Sequence, residues 1–570
     1  MRSLRGMTLI DVLIGISLML IIFTGLTSLL STSLKVSVLA KTHGNAIAIA
    51  ESQLEYVRSL SYDSIGTVGG IPAGNIPQYA TTTQNGLSFV TRTYIAYVDS
   101  PADGLGSADV NGITSDYKVA KVTTTYYVSG IPYTVVLISN FAPIGIESTA
   151  GGGTLKISVV NAVGAGVAGA SVHIVNASTS PLIDFTTFSD STGIVYLPGA
   201  PASSQYQVTV TKIGYSTAKN YARDATNQNP TPGYSTVAVN QTTTATFAID
   251  QLGTLIVRTF SPIVAATYGD GFQDSTGVSA TSNTVVGGGA VTLSGGPATY
   301  APSGSVVSVG ISPTYLYAWG SAGIIASLPA TTGVIFHIAD TTGALLADTV
   351  LPGNASGYAS MVDLSGISVA IYPTLKLVAN LTTGDPTVTP TLANWSVGYQ
   401  RGPIPLPNIA FSLSGTKTIG STGMSVPIVK TTIATTTQST GVVSLPLEWD
   451  SYAMTLNGYD VISACPAPDY ALAPGATLDS SLILGSSTAQ SLAVSVRDVG
   501  ATPLSGAAVT LSRTGYTNTV SSNNCGSAYF GSLANASDYT ISIVKSGYTT
   551  YTASNISVSG HTFYGATLNL

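Results

Sequence analysis

Four groups of side chains in this chain have the types and spacing to do chemistry. Asp11 is the single early charge in an apolar run, and no residue from Val12 to Leu34 is charged. A carboxylate in such a run costs about 3 kcal/mol at a bilayer centre and by default marks a function. Asp99, Asp103, Asp109, Asn111 and Asp116 crowd one segment with Gly104 and Gly112. Their oxygens are hard ligands that suit calcium, although the spacing is not that of an EF-hand; the other reading is side-chain turns that cap strands. Cys465 and Cys525 are the two cysteines of the chain. They either pair, as exported thiols often do, or remain two buried free thiols. Tyr315, Tyr317, Trp319 and Trp395 offer aromatic faces, either to stack on a sugar ring or to fill a core.

Other chemistry is missing from the text. The four histidines, His43, His173, His337 and His561, fall in four separate segments. H-E-x-x-H, G-x-S-x-G and P-loop patterns are not found, nor is a cysteine pair at zinc spacing. No enzyme activity is expected, and no cofactor beyond the candidate calcium. Lysine and arginine form no cluster, so nucleic acid is not an expected partner. Charged residues make up 8% of 570 and the net charge is −6, against about 25% charged in ordinary domains. Thr, Val and Tyr with frequent Gly and Pro read as short strands and tight turns. N-x-S/T triplets at Asn176, Asn354, Asn394 and Asn535 are expected by chance in so Ser/Thr-rich a chain.

Asp11 has to be positioned by a helix. The uncharged run from Val12 to Leu34 would be roughly 34 Å long as a helix, enough to cross a hydrocarbon core. It exceeds the h-region of a secretory signal. Ala46, Ile47, Ala50, Leu54, Val57 and Leu60 then recur at three- and four-residue steps among Lys41, Glu51, Glu55 and Arg58. That spacing predicts an amphipathic continuation, ending near Asp63 and Gly66.

Gly6-Met7-Thr8-Leu9-Ile10-Asp11, after a basic leader, resembles the class III signal of type IV prepilins and type II secretion pseudopilins. The resemblance implies a cut between Gly6 and Met7 by a prepilin peptidase and N-methylation of Met7. It also implies that Asp11, fifth in the mature chain, meets the N-terminal amine of a neighbouring subunit. The chain departs from the usual text with Asp for Glu and Met for Phe. The family's architecture is a long helix on a small antiparallel sheet. Strands are expected at Gly86–Val98, Tyr117–Val128 and Ile131–Ser139. Some pseudopilins carry calcium in a loop comparable to the Asp99–Asp116 segment.

Gly151-Gly152-Gly153 reads as a hinge, and an internal repeat lies beyond it. Leu155 and Leu492 each precede a glycine, Gly169 and Gly506, by 14 residues; Gly193 and Gly526 each precede a tyrosine, Tyr206 and Tyr539, by 13. Lys212, Gly214 and Tyr215 follow Tyr206 at the offsets at which Lys545, Gly547 and Tyr548 follow Tyr539. The pattern resembles carboxypeptidase regulatory-like and collagen-adhesin B-type domains, small transthyretin-like β-sandwiches. Some related adhesin domains form Lys–Asn isopeptide bonds; Lys156 is the candidate here, but Ala493 occupies the equivalent place in the second copy. Thr440-Gly441 and Tyr452 imitate the same signature in a divergent third copy.

The expected fold is mainly β with one long N-terminal α-helix: a pilin-like α+β module followed by tandem β-sandwiches, transthyretin/Ig-like and jelly-roll-like. The expected boundaries are 1–6 leader, 7–63 helix, 64–148 pilin-like sheet, 149–252 first repeat sandwich, 253–401 larger sandwich, 402–486 divergent sandwich and 487–570 second repeat sandwich. The expected function is a minor pilin-like subunit of a bacterial type IV pilus-like filament, presenting its sandwiches to a surface glycan or protein. The alternatives are a type II secretion pseudopilin and an anchored surface binder that never polymerises. Expected partners are the prepilin peptidase, other pilin or pseudopilin subunits, and an inner-membrane assembly platform with its ATPase. The expected place is the cytoplasmic membrane, held by the one helix with the bulk exported, then the cell surface or filament.

Overall fold

A helix of 50 residues, α1 (Leu9–Arg58), begins the computed structural model. The structure describes residues 9–104, 113–144 and 152–570. At about 1.5 Å per residue α1 is about 75 Å long. From Leu13 to Val38 it is exposed, whereas Thr42, Ala46, Ala50, Leu54 and Val57 are buried. These recur at three- and four-residue steps, so one stripe of the helix is covered. The alanines let the helix approach the sheet closely.

That sheet has four strands, β1 (Tyr79–Gln84), β2 (Leu87–Val98), β3 (Tyr117–Val128) and β4 (Ile131–Phe141), in the order β1-β2-β3-β4. Every pairing is antiparallel. Asn85-Gly86 and Ser129-Gly130, all at positive φ, close two of the hairpins, as two-residue turns between twisted strands require. β1 was not foreseen; its Tyr-Ala-Thr-Thr-Thr-Gln is exposed throughout and lacks hydrophobic alternation. Lys118 lies on the buried face of β3 and donates to the carbonyls of Tyr62 at 2.7 Å and Ile65 at 2.8 Å, tying down the chain that leaves α1.

The first repeat sandwich is built on the strand Gly152–Val160. It pairs parallel with Thr242–Ala248 and antiparallel with Ile194–Pro201. The facing sheet contains Ser171–Asn176, Ile183–Phe188 and Ser203–Thr211. The expected hinge needs correction here. Gly151 lies outside the described residues, but Gly152 and Gly153 are inside a strand. A Cβ on them would meet the carbonyl oxygens of Ala200 at 2.2 Å and Ala238 at 2.0 Å. Glycine serves close backbone approach at these positions, not bending.

The sheet and this sandwich also share a core. Ile71, Tyr94 and Tyr97 pack with Leu155, Ile157 and Phe185. Both belong to one compact unit, 1–252, together with the hairpin 417–430. That hairpin pairs with Asn229–Pro230.

The second unit is 253–416 with 431–570. Its first strand, Gly253–Phe260, corrects the expected boundaries at 253 and 402. It pairs antiparallel with Val442–Leu447 and parallel with Thr477–Ser486, so it is the first strand of the divergent third copy. The larger sandwich is inserted after that strand. Its two antiparallel sheets close over Trp319, Trp395, Phe272 and Phe336. The last sandwich centres on Ser491–Asp498, parallel to His561–Leu568 and antiparallel to Ser527–Phe530.

Three sandwiches thus share one plan. In each, a glycine at positive φ (Gly193, Gly441, Gly526) closes a turn whose carbonyl accepts from the first strand, at Val159, Thr259 and Val496. In each, a buried tyrosine (Tyr206, Tyr452, Tyr539) donates to a carbonyl four or five residues upstream. A hydroxyl bridges two loops in each as well: Ser189, Thr437 and Ser522 accept from Ala170, Ile409 and Ala507. The chain is mainly β, with one long N-terminal helix and multiple sandwiches.

Candidate functional site

The first half of α1 is the most exposed apolar surface described. Every residue from Leu13 to Val38 is exposed, and the helix is long and apolar enough to cross a membrane. Ser17, Thr24, Thr27 and Thr32 turn their hydroxyls back to carbonyls four residues earlier. No hydroxyl among these is left for water to satisfy, as a hydrocarbon environment demands. Gly6 and Met7 lie outside the described residues, and so does the side chain of Asp11.

In the acidic segment, Asp109 and Asn111 also lie outside the described residues. Asp99 accepts from the Tyr196 hydroxyl at 2.9 Å, and Asp116 accepts from the Ser100 amide. Asp103 is on the turn between them. Among the described residues no three His, Cys, Asp or Glu side chains converge on a point that would hold a metal.

The four aromatics do not share a face, which corrects the expected platform. Trp319 and Trp395 are 1% and 0% exposed, and both belong to the core. Trp319 donates to the Tyr372 carbonyl at 2.9 Å; Trp395 meets Phe272 edge-on at 5.0 Å. Tyr315 and Tyr317 stand outside. Tyr317 and Trp319 would face the same way in a regular strand, but the register shifts between Leu316 and Ala318. A bulge of this kind re-aims the side chains beyond it.

Cys465 and Cys525 form a disulfide joining the third and fourth sandwiches. Beside it is a cluster that the sequence reading missed. Asp460, fully buried, accepts from the Thr488 amide at 2.9 Å and from the hydroxyls of Thr488 and Tyr529 at 2.7 Å. Burial pushes its carboxyl up, but those donors outweigh burial and leave it below the usual range. Burial and Asp460 together raise the Tyr529 hydroxyl to about 12. His561 is pushed down by burial, and Asp460 offsets only part of that.

Ser491, His561 and Asp460 have the composition of a catalytic triad but not its geometry. Ser491 Oγ and Asp460 Oδ1 both face His561 Nδ1, at 2.6 and 3.6 Å. The other nitrogen, Nε2, accepts the Val461 amide at 3.1 Å. A neutral His561 therefore carries its proton on Nδ1 and cannot take one from Ser491. The cluster is a joint. Asn523 to Ser463 at 2.7 Å and Arg497 to the Ala467 carbonyl at 2.8 Å complete it.

Of the N-x-S/T asparagines, Asn176 and Asn354 are fully buried and Asn535 is exposed. Asn354 uses its amide to donate to Ile338 and Leu346.

No known family's sequence profile matches the chain, and neither does any curated protein. Solved structures with partial likeness include pilus proteins. The Bacillus anthracis TIE protein matches at 12% identity over 86% of this chain and 73% of its own, with a TM-score of 0.16. BcpA, the major pilin subunit of Bacillus cereus, matches at 10% over 73% and 99%, with 0.14. The RrgB pilus protein from Streptococcus pneumoniae matches at 10% over 72% and 94%, with 0.12. At such scores the chains do not superpose as wholes.

Proposed function

We propose that this chain is a membrane-inserted, pilin-like subunit that carries a series of β-sandwiches out to a surface. One observation carries the reading: α1 is divided in two. Its C-terminal part is packed on a four-stranded sheet, while its N-terminal part is apolar and uncovered, with the hydroxyls of Ser17, Thr24, Thr27 and Thr32 turned back onto the helix. A membrane can cover that half before assembly and neighbouring helices can cover it afterwards. The leader Met1–Gly6 is removed, Met7 supplies the new amine, and Asp11 pairs with the amine of an adjacent subunit. Two opposite charges in low dielectric attract strongly, while either alone is costly.

The large exported load fits a minor subunit better than a major one, since several sandwiches on every subunit would crowd a helical filament. The sandwiches serve as spacer and contact surface, and adhesion to a glycan or protein is assigned to them. The test is the Asp11→Ala chain, followed by shearing of cells and recovery of filaments. Full-length chain in the sheared fraction, lost with Asp11→Ala, is the expected result. Retention of the parent chain in the membrane with no filament fraction leaves an anchored binder. Retention accompanied by a secretion defect on deletion points to a pseudopilin.

A further inference from the structure

The four-stranded sheet ends in two open edges, β1 and β4. Neither strand contains a charged residue. β4 exposes Ile131, Val136 and Ile138 at 56%, 46% and 61%, and β1 is exposed along its whole length. Proteins ordinarily protect such edges with charge, proline, bulges or a covering loop. This chain does so next door. The edge strand Ile183–Phe188 of the first sandwich carries Asp184, whose amide donates to the Gly69 carbonyl at 2.8 Å. β4 runs regularly through eleven pairs with β3 and, apart from Pro132 beside the hairpin turn, has no such protection among the described residues.

Strand direction says what can dock there. With four antiparallel strands, β1 and β4 run in opposite directions. Copies held in one membrane by the same helix stand in the same orientation. The β4 edge of one copy then meets the β1 edge of the next antiparallel, which is a normal sheet pairing. We propose that this sheet continues from one copy of the chain to a second copy, β4 to β1, over the six residues of β1. The contact is head-to-tail, so it places copies in a row in the membrane, outside the helical filament that their sandwiches would crowd, rather than closing a dimer. It rests on the membrane-anchored reading above.

The test uses full-length chain in membranes, where the native disulfide leaves no free thiol. The double variant Thr82→Cys with Val136→Cys is treated with a bis-maleimide. A ladder of cross-linked species is expected. Each single variant alone should give none, and two single variants expressed together should give dimers only. Adding Ile138→Lys to the double variant should abolish the ladder without unfolding the chain, because that side chain is solvent-exposed. Three results overturn the proposal: no cross-link from the double variant, dimers from Val136→Cys alone (which mean β4 to β4 pairing), or a ladder indifferent to Ile138→Lys. Alkaline extraction of the same membranes keeps the two readings apart. A chain that resists extraction but does not cross-link loses only the sheet continuation. A chain that washes out loses the anchor, and the proposal with it.

Discussion

Two joints between neighbouring modules are built differently. Where the four-stranded sheet meets the first sandwich, Ile71, Tyr94 and Tyr97 enter the sandwich core, and Tyr196 to Asp99 and Thr114 to Thr154 add polar contacts. That joint is continuous packing. Where the third sandwich meets the fourth, a disulfide and a buried carboxylate with its donors hold the contact. Apolar packing is indifferent to reductant and to mild acid, whereas a disulfide and a buried Asp–His pair are not. The joint nearer α1 should therefore be robust, and the later one should respond to chemistry.

The largest effect is expected from opening the disulfide. Its closed loop separates the cysteines by 60 residues, which in chain-entropy terms contributes about 4 kcal/mol. Cys465→Ser with Cys525→Ser should lower the unfolding midpoint of the second unit and leave the first unit's transition in place. Equal loss in both transitions would break the comparison. Asp460→Ala comes next, at about 3 kcal/mol, because it leaves the buried donors of Thr488 and Tyr529 unpaired; denaturant melts of the full chain would measure it. In the other joint, Tyr196→Phe should cost only about 1 kcal/mol, since the shared apolar core remains.

The smallest effects are those of pH, and the two units should share a sign, gaining stability as pH rises, but differ in window. His561 has a folded pKa below its unfolded 6.5. Between those values the unfolded chain holds a proton that the folded chain does not, so stability falls as pH drops below about 6.5. Asp460 is also depressed, and its contribution is lost only in stronger acid, below 3.8. In the first unit Lys118 is lowered to about 8 by burial, with Asp63 opposing. Unfolded chain binds the extra proton between 8 and 10.5, so that unit gains stability as pH rises across this range. Melts at pH 5, 7 and 9 would show both trends, and Lys118→Met should remove the alkaline one.

Much of this was legible in the sequence for local reasons. The long helix follows from an uninterrupted apolar run and a three-four stripe; the β3–β4 hairpin follows from Ser129-Gly130, whereas Asn85-Gly86 carries the same signal for the unforeseen β1. Lys118 could have been found, because it shares strand parity with Ala120 and Val122, which are buried. What escaped was non-local. Gly253-Thr254-Leu255 repeats the text of Gly153-Thr154-Leu155, yet its partners lie beyond an inserted sandwich, and adjacency in sequence misled. The facing of Trp319 depended on a bulge without a residue signature. Asp460 and His561 are 101 residues apart and meet only because two sandwiches dock.

A processed helix inserted among its own kind needs a new N-terminus, which mass spectrometry of the N-terminal peptide from mature protein reads. A chain that begins at N-methylated Met7 is expected. A chain that still carries Arg2 and Arg5 would contradict it.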